Sequence, residues 1–359
     1  MIGNRIRLAR EALGWSLRRL EERINGLVSA QAIGKYERNE MMPSSGVLLA
    51  LASALQVSPE FLLSEKEIDL ESVDFRKVPA DGARDERAVN AAILDAAERY
   101  MEIESLFPDT ALRWIAPRCA AFRIREVDSA ELAAEQLRSI WKLGIAPIDS
   151  MTELLEGKGI KVLTLPLPEN VSGSKAFARP SDGDAVAMIV VNDRHNGERQ
   201  RFTLAHELGH LVLEWNDATE RESEKAADRF AGAFLMAKEM VWKLVGRART
   251  AVTFGELEAF KRVFKVSLAA LIVRLKQLGI VTKALYGELW AVIVKNGLNQ
   301  VDAPEPNAIP REVPDRAQRL ALRAVAEGVI TESKAAELLK MSRRNLAKLL
   351  DPEPSLNVA

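Results

Sequence analysis

Two of the chain's three histidines lie in one stretch, TLAHELGHLVL at residues 203–213. On a helix, residues i and i+4 lie on the same face, so His206 and His210 can both reach one metal ion. Glu207 lies one position further round the helix, where it can contact a water molecule on that ion. The spacing therefore predicts a zinc site with two histidine ligands, in which Glu207 is the general base that takes a proton from the zinc-activated water.

A hydrolytic zinc site needs a third protein ligand and an open position for water. Three carboxylates downstream, Glu220, Glu222 and Glu224, are candidates for that ligand. We favour Glu224 because Asp228 follows it at i+4 on the same helical face. Glu224 can then bind the ion while Asp228 accepts a hydrogen bond from the ring of a ligand histidine and fixes its tautomer.

Composition indicates a globular protein with real hydrophobic cores. The 359 residues are 48% hydrophobic and 28% charged, with a net charge of −1. The single cysteine, Cys119, excludes a disulfide within the chain and a zinc cluster built from cysteines. The N-terminus has no apolar signal segment, and the longest apolar runs are too short to cross a bilayer. We therefore expect a cytoplasmic protein without membrane contact.

The apolar spacing predicts a mainly α protein with a small β-sheet, an α+β fold. We expect four regions: a five-helix domain at 1–64, a linker and helical connector at 65–127, a metal-binding domain at 128–285 and a small C-terminal helical unit at 286–359. Within the linker, a polar stretch carries Pro79 and an Asp81-Gly82 turn, both typical of loops.

Two runs in the third region have the composition of β-strands, Gly159–Leu165 and Ala185–Asn192. Between them, residues 166–184 are predicted to form a long loop because they include Gly173, Pro180 and Gly183. A peptide substrate could be added as a strand along the edge beside Lys161–Leu165 or beside Ala185–Val191.

The metal-binding region resembles the ImmA/IrrE family of metallo-endopeptidases. The resemblance covers residues 128–285 and rests on Glu198–His210, with Val191-Asn192 before it, and on Glu224–Met236. It implies a thermolysin-like, gluzincin-like zinc core, with a His-Glu-x-x-His helix and a glutamate from the next helix as ligands. It also implies cleavage of a partner repressor or other regulatory protein. The family's usual proline after the second stretch is Ala237 here, which affects a turn more than the chemistry.

The group that would stabilise a tetrahedral oxyanion is not assigned, because no tyrosine or histidine lies between His210 and Glu224. Arg199 and Arg201 are weak candidates, and a surface ion pair is the favoured interpretation for each. His195 lies in a polar turn, which favours a surface loop histidine, although its position in the sequence also allows a proton donor near the site.

The first 64 residues carry the signs of a helix-turn-helix. Ser16–Ile24 reads as a short capped helix, Asn25–Val28 as a turn, and Ser29 as the cap of a second helix, Ala30–Arg38. Two helices joined this tightly present the second helix to the major groove of DNA.

The predicted DNA contacts follow from this geometry. Gln31 and Lys35 would face base edges, where glutamine reads adenine and lysine reads guanine. Arg18, Ser29 and Arg38 would contact phosphates.

This stretch is similar to the Cro/C1-type (Xre family) domain. The similarity rests on Ile6–Glu11, Gln31–Arg38, Pro43 and Leu48–Pro59. The chain departs from the family at Leu17, where glutamine is usual, and at Glu21, where a small residue is usual. Residues 1–64 hold eight Lys/Arg and six Asp/Glu, a net of +2. One copy should therefore bind DNA weakly, and we expect a homodimer on the paired half-sites of a double-stranded operator.

Residues 330–350 have a sequence pattern typical of a second helix-turn-helix. Thr331 and Ser342 are predicted caps, and a last helix would carry Arg343, Arg344 and Lys348 on a basic face. Such short helix pairs also serve as dimerisation or substrate-docking modules, and both alternatives stay open here.

The sequence therefore predicts a regulator that joins a DNA-binding head to a zinc peptidase. The alternative is a non-enzymatic transcription factor or antitoxin, in which the metalloprotease-like domain binds a partner or senses metal. The absence of a secretion signal or pro-segment argues against a digestive protease.

Overall fold

The computed structural model describes residues 2–63, 68–71, 83–180 and 183–351. These residues form mainly α-helices with one small sheet, which confirms the predicted fold class. The helices are α1 Ile2–Ala12, α2 Leu17–Arg23, α3 Ala30–Glu37, α4 Ser45–Leu55, α5 Pro59–Leu63, α6 Ala83–Ser105, α7 Ser129–Ile140, α8 Met151–Gly157, α9 Gly197–Val212, α10 Glu220–Leu235, α11 Lys238–Val245, α12 Phe254–Phe264, α13 Leu268–Gln277, α14 Lys283–Lys295, α15 Arg316–Ala326, α16 Glu332–Leu338 and α17 Arg343–Leu350. The strands are β1 Ile68–Glu71, β2 Lys161–Leu165, β3 Gly173–Pro180 and β4 Val186–Asn192.

The chain divides into two compact units. Unit 1 comprises Met1–Arg113, Ala176–Met188 and Pro314–Ala359, and unit 2 comprises Trp114–Lys175 and Ile189–Val313. Both units join segments that are distant in sequence. The four consecutive domains expected from the sequence, 1–64, 65–127, 128–285 and 286–359, stay a prediction.

The five helices α1–α5 enclose a small core of their own in unit 1. Ile6, Leu20, Ile33 and Leu51 are fully buried there. The predicted caps are present, because the Ser16 and Ser29 side chains accept hydrogen bonds from backbone N–H groups at the starts of α2 and α3.

Two further contacts hold α1 against α3. The Arg10 guanidinium donates two hydrogen bonds to the buried Glu37 carboxylate, at 2.6 and 2.8 Å. Gly3 lies so close to α3 that a Cβ there would come within 2.2 Å of the Tyr36 carbonyl oxygen. A charged pair and a close backbone approach therefore fix the first helix on the third.

Unit 2 is built around one large core that includes α7–α14. Two of its fully buried aromatic side chains, Phe230 and Phe234, project from α10, and Leu204 and Leu208 of α9 belong to the same core. This packing sets the position of α9, the helix that carries the two spaced histidines.

The sheet has the strand order β1-β3-β4-β2. β1 runs antiparallel to β3, with Ile68 opposite Pro180 and Glu71 opposite Phe177. Because β4 has a neighbour on each side, the predicted addition of a substrate strand along Ala185–Val191 is wrong. β2 lies at one end of the order, so the other predicted edge, at Lys161–Leu165, stays a prediction.

β3 lies in the stretch that the sequence suggested was a loop, so that prediction was wrong. Its inward-facing residues are Ser174, Ala176 and Ala178, all buried. Small side chains on the buried face give no hydrophobic alternation, and therefore β3 has no strand signature in the sequence. The predicted linker turn at Pro79 and Asp81-Gly82 lies outside the described residues. Within the described part of the chain, no helix has the length and apolarity to cross a membrane.

Candidate metal centre

Helix α9 begins at a capped turn and brings the two histidines together. The Asn196 side chain accepts a hydrogen bond from the Arg199 backbone N–H, which satisfies one free donor at the helix start. Three turns on, His206 and His210 lie with their Nε2 atoms 3.0 Å apart. His206 is 9% exposed and His210 is half-buried, so both imidazoles are largely shielded from water.

Helix α10 packs against α9 at a glycine. A Cβ at Gly209 would lie 3.1 Å from the Phe230 ring and 3.4 Å from the Ala227 Cα, closer than an ordinary side chain allows at such a contact. The glycine in His-Glu-Leu-Gly-His therefore lets α10 approach closely. This approach places Glu224 beside both histidines, with carboxylate oxygens 3.5 Å from the His206 Nε2 and 3.2 Å from the His210 Nε2.

The other two candidate third ligands lie elsewhere. Glu222 closes a capping box with Thr219, in which each side chain bonds to the backbone of the other residue. Glu220 is exposed in the first turn of α10. Among the described residues, the group whose ligand atoms all lie within 4.8 Å of one another is His206, His210 and Glu224.

Asp228 completes the arrangement one turn further along α10. The His206 Nδ1–H donates a hydrogen bond to the Asp228 carboxylate at 2.8 Å, so Nε2 is the ring nitrogen that faces His210 and Glu224. Burial lowers the pKa of the His206 imidazole, but its hydrogen bonds to Asp228 and Glu224 outweigh burial and raise that pKa to about 9. Three carboxylates, those of Glu207, Glu224 and Asp228, thus act on this ring.

The donor set fits a zinc ion. Two imidazole nitrogens and a carboxylate oxygen are typical zinc ligands. With bonds of about 2.0–2.1 Å, tetrahedral ligand atoms lie roughly 3.3 Å apart. The separations of 3.0, 3.2 and 3.5 Å between the three ligand atoms bracket that spacing. Three protein ligands also leave a fourth position open, the pattern of a catalytic site.

Residues 302–312, which we call the strap, hold the first half of α9, and sequence reasoning missed this role. The Asp302 carboxylate accepts hydrogen bonds from the ring Nδ1–H of His195 and, at 2.9 Å, from the Asn196 N–H. His195 is 1% exposed, so the prediction of a surface loop histidine was wrong. Its polar neighbours in sequence concealed a partner 107 residues away.

Arg201 also proved to be buried, which corrects the prediction of a surface ion pair. Its side chain is 1% exposed and pairs with Glu312 of the strap. The Arg201 guanidinium also donates to the Ile148 carbonyl at 2.6 Å. Glu312 accepts further hydrogen bonds from the backbone N–H groups of Met151 and Thr152, both at 3.1 Å, at the start of α8. One carboxylate therefore joins the strap, α9 and α8.

Arg199 is not in a surface ion pair either. Its guanidinium is half-buried and donates to the Ser172 hydroxyl at 2.6 Å. Neither arginine is thereby assigned to an oxyanion, and that role stays open.

A buried lysine forms the third strap contact. Lys261 of α12 is 0% exposed and donates to Glu198 of α9 at 2.6 Å and to Glu305 of the strap at 2.9 Å. The strap passes so close to Gly197 that a Cβ there would come within 2.3 Å of the Ile309 and Pro310 carbonyl oxygens. The only sequence signal for these contacts was the presence of acids among the prolines of residues 296–315.

The residues predicted to contact DNA lie in unit 1, and some of their side chains already bond to other residues. Gln31 and Lys35 are both exposed, one turn apart on α3, and Arg18 is exposed on α2. The Ser29 hydroxyl caps α3 through the Ala32 N–H at 3.2 Å. The Arg38 guanidinium is bound to the Glu40 carboxylate at 2.6 and 2.9 Å, so a phosphate would have to displace that pair.

Comparison with known families finds two matches, one over each of the two regions described above. Residues 155–276 match a peptidase family described as the IrrE N-terminal-like domain, and residues 6–62 match a helix-turn-helix family. The chain therefore contains a helix-turn-helix domain and an IrrE-like, metallopeptidase-type domain. The first match includes His206, His210 and Glu224, and the second includes α2 and α3. A comparison with the curated proteins found no match.

Proposed function

We propose that this protein is a DNA-binding transcriptional regulator whose IrrE-like domain is a zinc metallo-endopeptidase that cleaves a partner regulatory protein. The observation that carries the peptidase half is the convergence of His206, His210 and Glu224 within 4.8 Å on two packed helices, with Glu207 between the histidines. The observation that supports the DNA-binding half is the exposed, capped α3 in a domain that matches the helix-turn-helix family.

His206, His210 and Glu224 would hold the ion, which when bound supplies a positive charge that makes water acidic near neutral pH. Asp228 orients the His206 ring through its 2.8 Å hydrogen bond and keeps Nε2 available. Glu207 is 9% exposed in the same cleft. There its carboxylate accepts a proton from the attacking water and returns it to the amine nitrogen that leaves the cleaved peptide bond.

Hydrolysis is tested with Glu207→Gln in the full chain. The substitution preserves size and hydrogen bonding but removes the base, so we expect cleavage to fall by at least about 100-fold while the bound zinc is unchanged. The substrates to assay are the repressor-like proteins encoded beside the gene, with the products identified by mass spectrometry. Glu220→Gln, on the exposed start of α10, is the matched control and should cleave normally.

If Glu207→Gln cleaved the partner as fast as the wild type, hydrolysis at this centre would not be the function. A zinc-dependent change in DNA binding that is identical in both proteins would instead support the metal-sensing alternative.

DNA binding is tested by fluorescence anisotropy with duplex DNA from the promoter upstream of the gene, over a salt series. We expect the affinity to fall steeply with salt, because phosphate contacts release counterions. Replacing Gln31 and Lys35 together with alanine should remove the preference for that promoter over an unrelated duplex. Salt-independent binding, or no binding, would contradict the DNA-binding half.

A further inference from the structure

The last three helices form a small cluster in unit 1. Ala335, Ala336 and Leu346 are buried together, with side chains of α15 packed against them. Thr331 caps α16 by accepting from the Lys334 N–H, and Ser342 caps α17 by accepting from the Asn345 N–H. A capped helix, a short turn and a second capped helix thus follow one another.

This arrangement is similar to the N-terminal helix-turn-helix in its helix lengths, although its connection has four residues where the N-terminal one has six. α2 and α16 each have seven residues, and α3 and α17 each have eight. The connecting turn uses a left-handed residue in both cases, Asn25 with φ 54° and Lys340 with φ 52°. α17 therefore occupies the position that a recognition helix occupies in this motif.

The outer face of α17 is basic, and among the described residues no ion pair with its three cations is found. Leu346 is the buried residue of the helix, and the sequence RRNLAKLL contains no acid. Arg343, Arg344 and Lys348 are exposed, and in the described part of the chain their side chains make no ion pair. In contrast, Arg38 of the N-terminal motif is paired with Glu40.

Two of these charges are placed where they weaken the free protein. Arg343 and Arg344 lie in the first turn of α17, next to the positive end of the helix dipole, where cations are unfavourable. An anion at this end would relieve the repulsion and accept hydrogen bonds from the guanidinium groups. The two arginines therefore lower the stability of the free helix, and a bound anion would remove that cost.

Helix α6 connects the two motifs. The Arg5 guanidinium of α1 pairs with Glu98 of α6. Within about one turn on either side, Asp95 pairs with Lys340 at 3.0 Å, and Arg99 donates to the Leu338 carbonyl at 2.9 Å. The same stretch of one helix therefore contacts both motifs.

We propose that α15–α17 form a second element that binds double-stranded DNA, with α17 in the groove and Arg343, Arg344 and Lys348 on the phosphates. The proposal rests on the DNA-binding half of the proposed function and is independent of the peptidase. DNA is favoured over an acidic protein for two reasons. The helix arrangement is similar to that of the N-terminal domain, and both groups of helices contact the same stretch of α6.

The test compares three full-length variants by anisotropy with promoter and unrelated duplexes over a salt series. Alanine at Arg343, Arg344 and Lys348 should reduce the slope of log K against log salt by about 2 to 3, and weaken binding at least tenfold at low salt. The matched control places alanine at Lys243, Lys283 and Lys295, three exposed lysines of unit 2, and should leave the slope unchanged. The third variant carries alanine at Gln31 and Lys35.

Footprinting provides an independent measurement. The wild type should protect a longer segment of duplex than the α17 variant, because two elements on one support cover more DNA than one. Circular dichroism of the variants checks that the helices remain.

The outcomes separate the two claims. If the α17 variant keeps the wild-type slope and footprint while the Gln31/Lys35 variant loses promoter preference, α17 does not bind DNA. The proposal is then wrong, although DNA binding by the head stands. If the wild type fails to bind any duplex at low salt, the DNA-binding half of the proposed function fails as well.

Discussion

The metal helix α9 and the recognition helix α3 are positioned in opposite ways. In α9, Glu198 and Arg201 are nearly fully buried and pair with residues 63 to 111 positions away. In α3, Gln31 and Lys35 are exposed, and the helix begins at a serine three residues from the N–H it caps. The helix proposed to hold an ion is fixed by its surroundings, whereas the helix proposed to read DNA is fixed locally and keeps one face open.

This difference predicts where single substitutions act. Long-range buried charges on α9 can be lost only at a large cost in stability, since an unpaired buried charge remains. Local caps on α3 contribute less to stability, because water can also accept hydrogen bonds from the backbone N–H groups that a cap satisfies. The predictions below follow that order of size.

The largest effect is expected from Glu312→Gln. The substitution leaves the 1% exposed Arg201 without its counter-charge, which should lower the free energy of unfolding of unit 2 by about 3–5 kcal/mol. Tryptophan fluorescence in a urea titration reports this unit, because five of the six tryptophans lie in it. Glu214→Gln, in a pair whose side chains are 80% and 62% exposed, is the control and should change stability by less than about 1 kcal/mol. Equal shifts would show that the strap does not fix α9.

Gly197→Ala should destabilise unit 2 by about 1–3 kcal/mol, because the added methyl group meets the Ile309 and Pro310 carbonyl oxygens. Gly287→Ala is the matched control, since a Cβ there meets no atom within 4 Å. The control should raise stability by up to about 1 kcal/mol through helix propensity. The same urea titration measures both variants, and a stable Gly197→Ala protein would contradict the close passage of the strap.

Asp228→Ala should weaken zinc binding by about 10- to 100-fold, because the His206 ring loses the partner that fixes its tautomer. Competition with a fluorescent chelator measures the affinity. Glu220→Ala should bind zinc as the wild type does, and a loss there instead would identify Glu220 as a ligand. This experiment separates the strap contacts, which fix the position of α9, from the side chains that bind the ion.

The smallest effect is expected from Ser29→Ala. Losing the cap should destabilise α3 locally by about 1 kcal/mol and speed hydrogen exchange of its amides by about fivefold. Ser44→Ala is the control, because Ser44 precedes α4 without a side-chain cap bond and should have a smaller effect. If both variants exchanged alike, local capping would not be what positions α3.

Sequence reasoning anticipated the features that depend on neighbours in the chain. The caps Ser16, Ser29, Thr331 and Ser342 accept the hydrogen bonds expected of them. The choice of Glu224 among three glutamates used only helical spacing, and the structure places that residue beside both histidines.

What sequence reasoning missed involves distant partners or small buried residues. The small residues on the buried face of β3 gave no strand pattern. His195 and Arg201 looked like surface residues because their neighbours are polar, and their partners Asp302 and Glu312 lie more than 100 residues away. Local periodicity carries no information on such pairs.

By itself, the sequence determined the kinds of helices, their caps and the presence of two imidazoles and a carboxylate suited to zinc, because these depend on hydrogen bonds and side-chain spacing within a few residues. The tertiary structure alone decided which proline-rich segment crosses α9, how β3 enters the sheet and that α6 contacts both the N-terminal helix-turn-helix domain and the last helices. These features depend on buried charges and backbone groups that come into contact only once the chain has folded.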